Sequence, residues 1–271
     1  MADPTTLDRS ATTTADGRRI PTVIVDDAHV IYRVHGAGPA GGTSPVTALK
    51  RLVTRMPAPT VREVHAVKGV TLTAYRGEAI GLIGSNGSGK STLLRTIAGL
   101  LPVNKGAVYA QGQPSLLGVN AALLNDLSGE RNVALGLLAM GFTPEEVRAK
   151  TPEVIEFSGI NERGDFASLP MRTYSSGMSA RLRFAISSAK NHDVLLIDEA
   201  LATGDRRFRR RSEQRVRELR AGAGTVFLVS HQISTIRETC ERTIWLESGV
   251  IRADGPTSEV VAQYEEFTNA K

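Results

Sequence analysis

Apolar residues change their spacing several times along the chain, and each change marks an element. Near the start, Ile20–Val25 and Ala28–Tyr32 have the composition of short strands. Val70–Tyr75 and Glu78–Ile83 read as two further strands separated by a turn at Arg76–Gly77. Lys90 to Leu100 is predicted helical, and Pro102 stops any continuation of it. Residues 129–158 are mostly helical, with Pro144 and Pro152 as helix starts or breaks. From Met178 to Ala189 the apolar residues fall at 178, 182, 185 and 189, one buried helical face. Val194–Ile197 and Thr225–Val229 are continuous apolar runs, the mark of strands buried on both faces, and helix comes after the second. Strand and helix alternate, so the expected fold is α/β with a mostly parallel sheet and helices on both sides. No internal repeat is visible.

The remaining segments modify that picture. Residues 1–20, rich in Thr and small polar residues, predict a disordered tail. Residues 36–45 have the Gly/Pro content of a flexible loop. After it, Leu49, Leu52, Val53 and Met56 share one helical face while Lys50, Arg51 and Arg55 lie elsewhere on the wheel. This basic amphipathic helix at 47–56 either packs on its own domain or lies at a membrane or partner surface. A chain of 271 residues with 41% hydrophobic content suits one domain with appendages or two small domains. The net charge of +5 fits either a soluble protein of arginine-rich composition or a basic face toward phosphate or anionic membrane. Cys240 is the single cysteine, which excludes an intramolecular disulfide and fits a reducing compartment, with the side chain itself a small buried apolar group. The N-terminal stretch carries Asp3, Asp8 and Asp16 and no apolar core, so no secretory signal is expected. No segment approaches the ~20 apolar residues of a membrane span, so in any membrane process another chain must cross the bilayer.

Three motifs carry chemistry. In Gly84-Ser85-Asn86-Gly87-Ser88-Gly89-Lys90-Ser91 a strand enters a glycine-rich loop and a helix leaves it. Such a loop turns backbone N–H groups onto the β- and γ-phosphates of a nucleotide, Lys90 adds a point charge, and the Ser91 hydroxyl is a ligand for Mg²⁺. The apolar run Val194–Ile197 ends in Asp198 and Glu199. Asp198 suits Mg²⁺, directly or through water, and Glu199 suits a general base that polarises the attacking water. Between these lies Tyr174-Ser175-Ser176-Gly177-Met178, a Ser/Gly turn that opens a helix and offers donors to a phosphate.

At this point the sequence resembles the ABC ATPase family, whose signature, usually Leu-Ser-Gly-Gly-Gln, stands between the two nucleotide motifs. The resemblance implies a P-loop NTPase of the ABC type over 21–267, with a RecA-like core, an antiparallel β region, an insertion at 36–65 and a helical subdomain at about 115–190. It implies that ATP bound on one subunit meets Ser175, Ser176 and Gly177 of a second copy in a head-to-tail dimer. It places Asp205 in a loop that couples the two sites, and His231 as a switch histidine that orients the attacking water. It offers Tyr32 for stacking on adenine, with a core tyrosine as the competing reading. One departure stands out: the stretch Leu116–Leu123, shortly before Leu127, where the family's Q-loop glutamine should lie, contains no Gln, and Asn120 is the amide available there.

The wording of Tyr174–Phe184, of Asp198–Asp205 and of Leu127-Ser-Gly-Glu-Arg-Asn-Val133 looks like the ATPases that export lipid-linked polysaccharides and teichoic acids. That similarity implies a separate multi-span permease, a lipid-linked glycan substrate, a place on the cytoplasmic face of the membrane, and a membrane-facing helix at 47–56. The arginine- and alanine-rich composition suggests an actinobacterial galactan exporter within that group. The chain ends at Lys271, so the C-terminal carbohydrate-binding domain of some members is not expected. The main alternative is a soluble ABC-type ATPase acting on nucleic acid or ribosomes, which the 206–211 arginine cluster would suit. The chain lacks the coiled coil or tandem cassettes of that group, and nucleic acid is not an expected partner. A P-loop kinase is disfavoured by the signature and by Glu199.

Overall fold

The computed structural model describes residues 12–14, 16–35, 61–118, 123–198, 206–230 and 232–270. The first long element is β1, Pro21–His35, one strand where the polarity of Asp26 and Asp27 suggests two. The chain crosses that polar pair through a register shift between Val25 and Ala28, with Asp27 at φ 44. A bulge of this kind bends a strand without ending it. β2, Val61–Tyr75, pairs antiparallel with β1 from Pro21↔Tyr75 to His35↔Val61. Of the expected insertion, 36–60 with its helix at 47–56 lies outside the described residues, and 61–65 form the start of β2. β3 (Ala79–Ile83) leads to helix α1 (Lys90–Ile97), which stops before Leu100 as Gly99 turns to φ 71. β4 (Lys105–Ala110) then joins the free edge of β1, giving the sheet order β2-β1-β4. In this sheet Val23 and Val25 are fully buried while Ile24 between them and Tyr109 opposite it are exposed, the alternation of a sheet with one wet face.

The second sheet holds β5 (Ser115–Leu116), β6 (Val194–Ile197), β7 (Thr225–Val229), β8 (Arg242–Glu247) and β9 (Val250–Pro256) around β3. Its order is β5-β6-β7-β3-β8-β9, parallel except for β9. Every residue of β6 and β7 is buried, as their unbroken apolar runs require. One core lies between the two sheets and around α1, through Leu82, Leu93, Leu94, Phe227 and Leu246. A second lies on the other face of the parallel sheet, where Trp245 meets Tyr264 and Phe267.

Between β5 and β6 come α2 (Gly129–Ala139), α3 (Pro144–Ser158) and α4 (Ser176–Ser187), with their own core of Val133, Leu137, Val154, Leu182 and Ile186. Pro144 starts α3 inside a capping box of Thr143 and Glu146. Pro152 does not break α3; the helix runs through it to Gly159 at φ 63. The arginine-rich α5 (Arg206–Gly222), the short α6 (Ile233–Thr239) and α7 (Thr257–Asn269) flank the parallel sheet. No helix among the described residues is long and apolar enough to cross a membrane.

Candidate functional site

The loop at 84–89 has its shape imposed by what it touches. Gly84, Gly87 and Gly89 take φ 143, 78 and 107. A Cβ on Gly84 would stand 1.9 Å from the Leu246 carbonyl oxygen, and one on Gly89 would stand 2.4 Å from that of Ala66. Both are backbone atoms that cannot step aside, so only glycine lets the loop sit this low on β2 and β8. Lys90 is buried, and its Nζ donates to the carbonyls of Gly84 (2.8 Å) and Ser85 (2.9 Å) and to Ser88 Oγ (3.4 Å). The ammonium therefore lies within the curl of the loop. Burial lowers its pKa, and the charges of Asp198 and Glu247 act the other way. Gly89 caps α1 without a side-chain bond and no acid sits in the first turn, so the leading N–H groups of the helix face an anion uncontested.

The parallel sheet brings the rest of this cluster to the same edge. β7 pairs with β3 through Leu82↔Val229 and with β6 through Ile197↔Leu228. Three parallel strands thus end side by side, and residues leaving their C-terminal ends gather in one crevice. Asp198, half-buried, is the first residue beyond β6 and is near enough to act on Lys90. Ser91 is half-buried in the first turn of α1. Hard oxygen ligands of this kind, a hydroxyl and a carboxylate, fit Mg²⁺. Tyr32 of β1 places its hydroxyl 3.3 Å from Thr92 Oγ1, beside that same turn. Glu199, Asp205, His231 and Asn120 lie outside the described residues.

The signature residues belong to a different body. Ser175 is the N-cap of α4 and accepts the Met178 N–H at 3.2 Å, while Ser176 and Gly177 form its first turn. Among the described residues no hydrogen bond or ion pair joins Ser175, Ser176 or Gly177 to the loop at 84–91. Tyr174 holds this turn in place: its hydroxyl donates to the Phe166 carbonyl at 2.6 Å, and burial raises its pKa. A Cβ on Gly129 would come within 2.2 Å of that hydroxyl. The segments Leu127–Val133 and Tyr174–Met178 thus touch, and the bridge between Ser128 and Pro170 pairs the first with the stretch just before the second.

Two residues of the site escape sequence reasoning. Gly129 enters the sequence reading only within Leu127–Val133 and as the first residue of a helical stretch. Glu247 carries no expectation from sequence, yet it is buried and accepts the Ser85 hydroxyl at 2.6 Å. The two residues are 162 positions apart, and nothing local announces the contact.

Comparison with known proteins agrees with this geometry. The family model described as ABC transporter matches residues 67–202. The teichoic acids export ATP-binding protein TagH of Staphylococcus saprophyticus is 41% identical over 205 residues, which cover 76% of each chain. That of Shouchella clausii is 39% identical over 208 residues, covering 77% of this chain and 57% of the relative. Among solved structures, the ATP-binding cassette MJ0796 in a dimeric post-hydrolysis state superposes with a TM-score of 0.63 at 23% identity, covering 87% of this chain and 98% of that one. The ATP-binding subunit of an ABC transporter superposes at 0.64 with 22% identity, covering 90% and 93%. At such identities the likeness is one of fold: an antiparallel sheet, a mixed parallel sheet and a helical subdomain.

Proposed function

The chain belongs to the ABC transporter family as its ATPase, and from that premise we propose that it drives export of a lipid-linked cell-envelope polysaccharide. The observation that carries the reading is the 41% identity to a teichoic acids export ATP-binding protein over three quarters of the chain, joined to a phosphate loop whose lysine is already folded into it. A lipid-linked galactan is the finer candidate, suggested by composition. The subunit works at the cytoplasmic face of the membrane beside a separate membrane-spanning permease. A groove of about 460 Å³ between the end of α1 and α2, lined in part by Leu100, Pro114, Leu135 and Met140, is where we place a permease segment. Leu100 and Leu135 are exposed along it, apolar surface of the sort that marks a protein interface.

In the proposed cycle, the loop N–H groups and Lys90 bind the β- and γ-phosphates of ATP. Ser91 and Asp198 would hold Mg²⁺, which supplies charge neutralisation at the phosphates. Glu199 takes a proton from the water that attacks the γ-phosphorus, the bond to the bridging oxygen breaks, and ADP and phosphate leave. His231 orients that water. Tyr32 stacks on the base. Ser175, Ser176 and Gly177 of a second copy close the site over the γ-phosphate, and Asp205 links the two sites. Closing and reopening of that dimer moves the permease, which requires the open and closed dimers to differ in nucleotide affinity.

Two experiments test this. Glu199→Gln should bind ATP and dimerise while hydrolysing roughly a hundredfold more slowly or worse; wild-type turnover in that variant would remove Glu199 from the mechanism. Depletion of the protein should cause a lipid-linked glycan to accumulate, and its sugar content names the substrate. Recovery of the chain with ribosomes and no membrane protein would overturn the export assignment.

A further inference from the structure

The phosphate loop is seated at three places on the end of β8 and the turn that follows it. Gly84 lies against the Leu246 carbonyl, Ser85 meets Glu247, and the Ser88 carbonyl accepts the Gly249 N–H at 2.9 Å. Glu247 is the unexpected member of this set. It is a carboxylate only 7% exposed, placed behind a loop that binds anions. Its Oε1 accepts the Ser85 hydroxyl at 2.6 Å. Its Oε2 lies 3.4 Å from the Ser85 backbone nitrogen and 3.5 Å from Trp245 Nε1. Burying a carboxylate is costly unless its charge and lone pairs are answered, and a negative charge here works against phosphate. A packing role would be filled better by an apolar side chain. What the carboxylate does that no apolar residue could is accept from both hydrogen-bond donors of Ser85. The carbonyl of that same Ser85 is one of the two that hold the Lys90 ammonium, at 2.9 Å.

We propose that Glu247 is a positioning residue of the nucleotide site: it latches Ser85 to β8 and thereby fixes the carbonyl cradle that aims Lys90 at the phosphates. The proposal rests on the loop at 84–91 being the ATP site. Glu247 touches no reacting atom in this scheme; it acts through Ser85.

The test is ATP affinity of the purified full chain, read with a fluorescent ATP analogue and with competing ATP, alongside thermal unfolding. Glu247→Ala and Ser85→Ala should each weaken ATP binding roughly tenfold, as expected when a hydrogen bond to a charged group is lost. The double variant should be no weaker than Glu247→Ala alone, because once the carboxylate is gone the Ser85 hydroxyl has lost the partner that Ser85→Ala would remove. Glu247→Gln keeps one acceptor oxygen for the Ser85 hydroxyl but turns an amide NH2 toward the Ser85 and Trp245 N–H groups, so its ATP affinity should fall between that of the parent and that of Glu247→Ala. Turnover at saturating ATP should fall less than affinity. Wild-type affinity in Glu247→Ala, additive losses in the double variant, or equal damage from Gln and Ala would each overturn the latch. Should Glu247→Ala fail to fold, Ser85→Ala and Glu247→Gln carry the test. Lys90→Ala separates the two levels: normal ATP binding in that variant removes the loop as the ATP site, whereas lost binding with a silent Glu247→Ala removes only the latch.

Discussion

The two halves of the proposed ATP site are built in opposite ways. The loop at 84–89 is an extension of the core. Its glycines press on the carbonyls of Ala66 and Leu246, its lysine is buried, and its serines bond to the end of β8. The signature at Ser175–Gly177 is a piece of surface. Ser175 and Ser176 are exposed, and the Ser175 hydroxyl accepts from its own helix. The anchor lies one residue earlier, where Tyr174 reaches back under Gly129 and onto Phe166. A phosphate-binding loop held by main-chain contacts arrives shaped for its ligand, and preorganisation of this kind lowers the cost of binding. A helix end held through a single tyrosine is presented outward on a subdomain with its own core.

Substitutions can pull this contrast apart. Gly84→Ala would drive a methyl group into the Leu246 carbonyl, at 1.9 Å, and is expected to cost roughly a hundredfold or more in ATP affinity by calorimetric titration. Near-normal binding would mean that the loop is not moulded by β8. On the other half, Gly129→Ala would place a methyl 2.2 Å from the Tyr174 hydroxyl. Overpacking there should lower stability by about 1–3 kcal/mol in thermal or urea unfolding. ATP should still bind to the loop in this variant while turnover falls; lost binding would show that the two halves are not separate bodies. The gentlest change is Ser175→Ala, which deletes the N-cap acceptor of α4 and should cost about 1 kcal/mol of stability. Its ATP affinity should match the parent when each chain is monomeric, and only hydrolysis should drop.

The same contrast decides what sequence reasoning reaches. β6 and β7 are visible because burial on both faces leaves no charged residue in Val194–Ile197 or Thr225–Val229. The phosphate loop is visible because its glycines, lysine and serine are consecutive. The helical face expected at 178, 182, 185 and 189 is legible in part: Leu182 and Ala185 are buried, Met178 is half-buried, and Ala189 lies beyond the end of α4, which runs from Ser176, capped by Ser175, to Ser187. Pairing between distant segments is what stays hidden. Asp26 and Asp27 look like the end of a strand, and only the partner β2 carries β1 across them. β5 is two residues long and exists as an edge of β6. β8 and β9 make a hairpin whose outer strand alternates in exposure, a weak signal in seven residues. Pro152 looks like a break, but with Thr143 capping the start and Gly159 the end, α3 loses only one helical bond there. Gly129 and Glu247 owe their importance to partners far along the chain.

The seating of the phosphate loop on Leu246, Glu247 and Gly249 also sets when the protein acquires its ligand during manufacture. Ser85 and Glu247 are separated by 162 residues, which a ribosome needs on the order of ten seconds to add. Until β8 has emerged, the growing chain carries the loop's full motif without the surface that shapes it. A nascent or prematurely terminated product lacking the last two strands would display the motif and yet have no finished site, so it would not engage cellular ATP or compete with complete subunits for a closed dimer. On the proposed latch, a finished nucleotide site requires that translation has already reached the far end of the sheet.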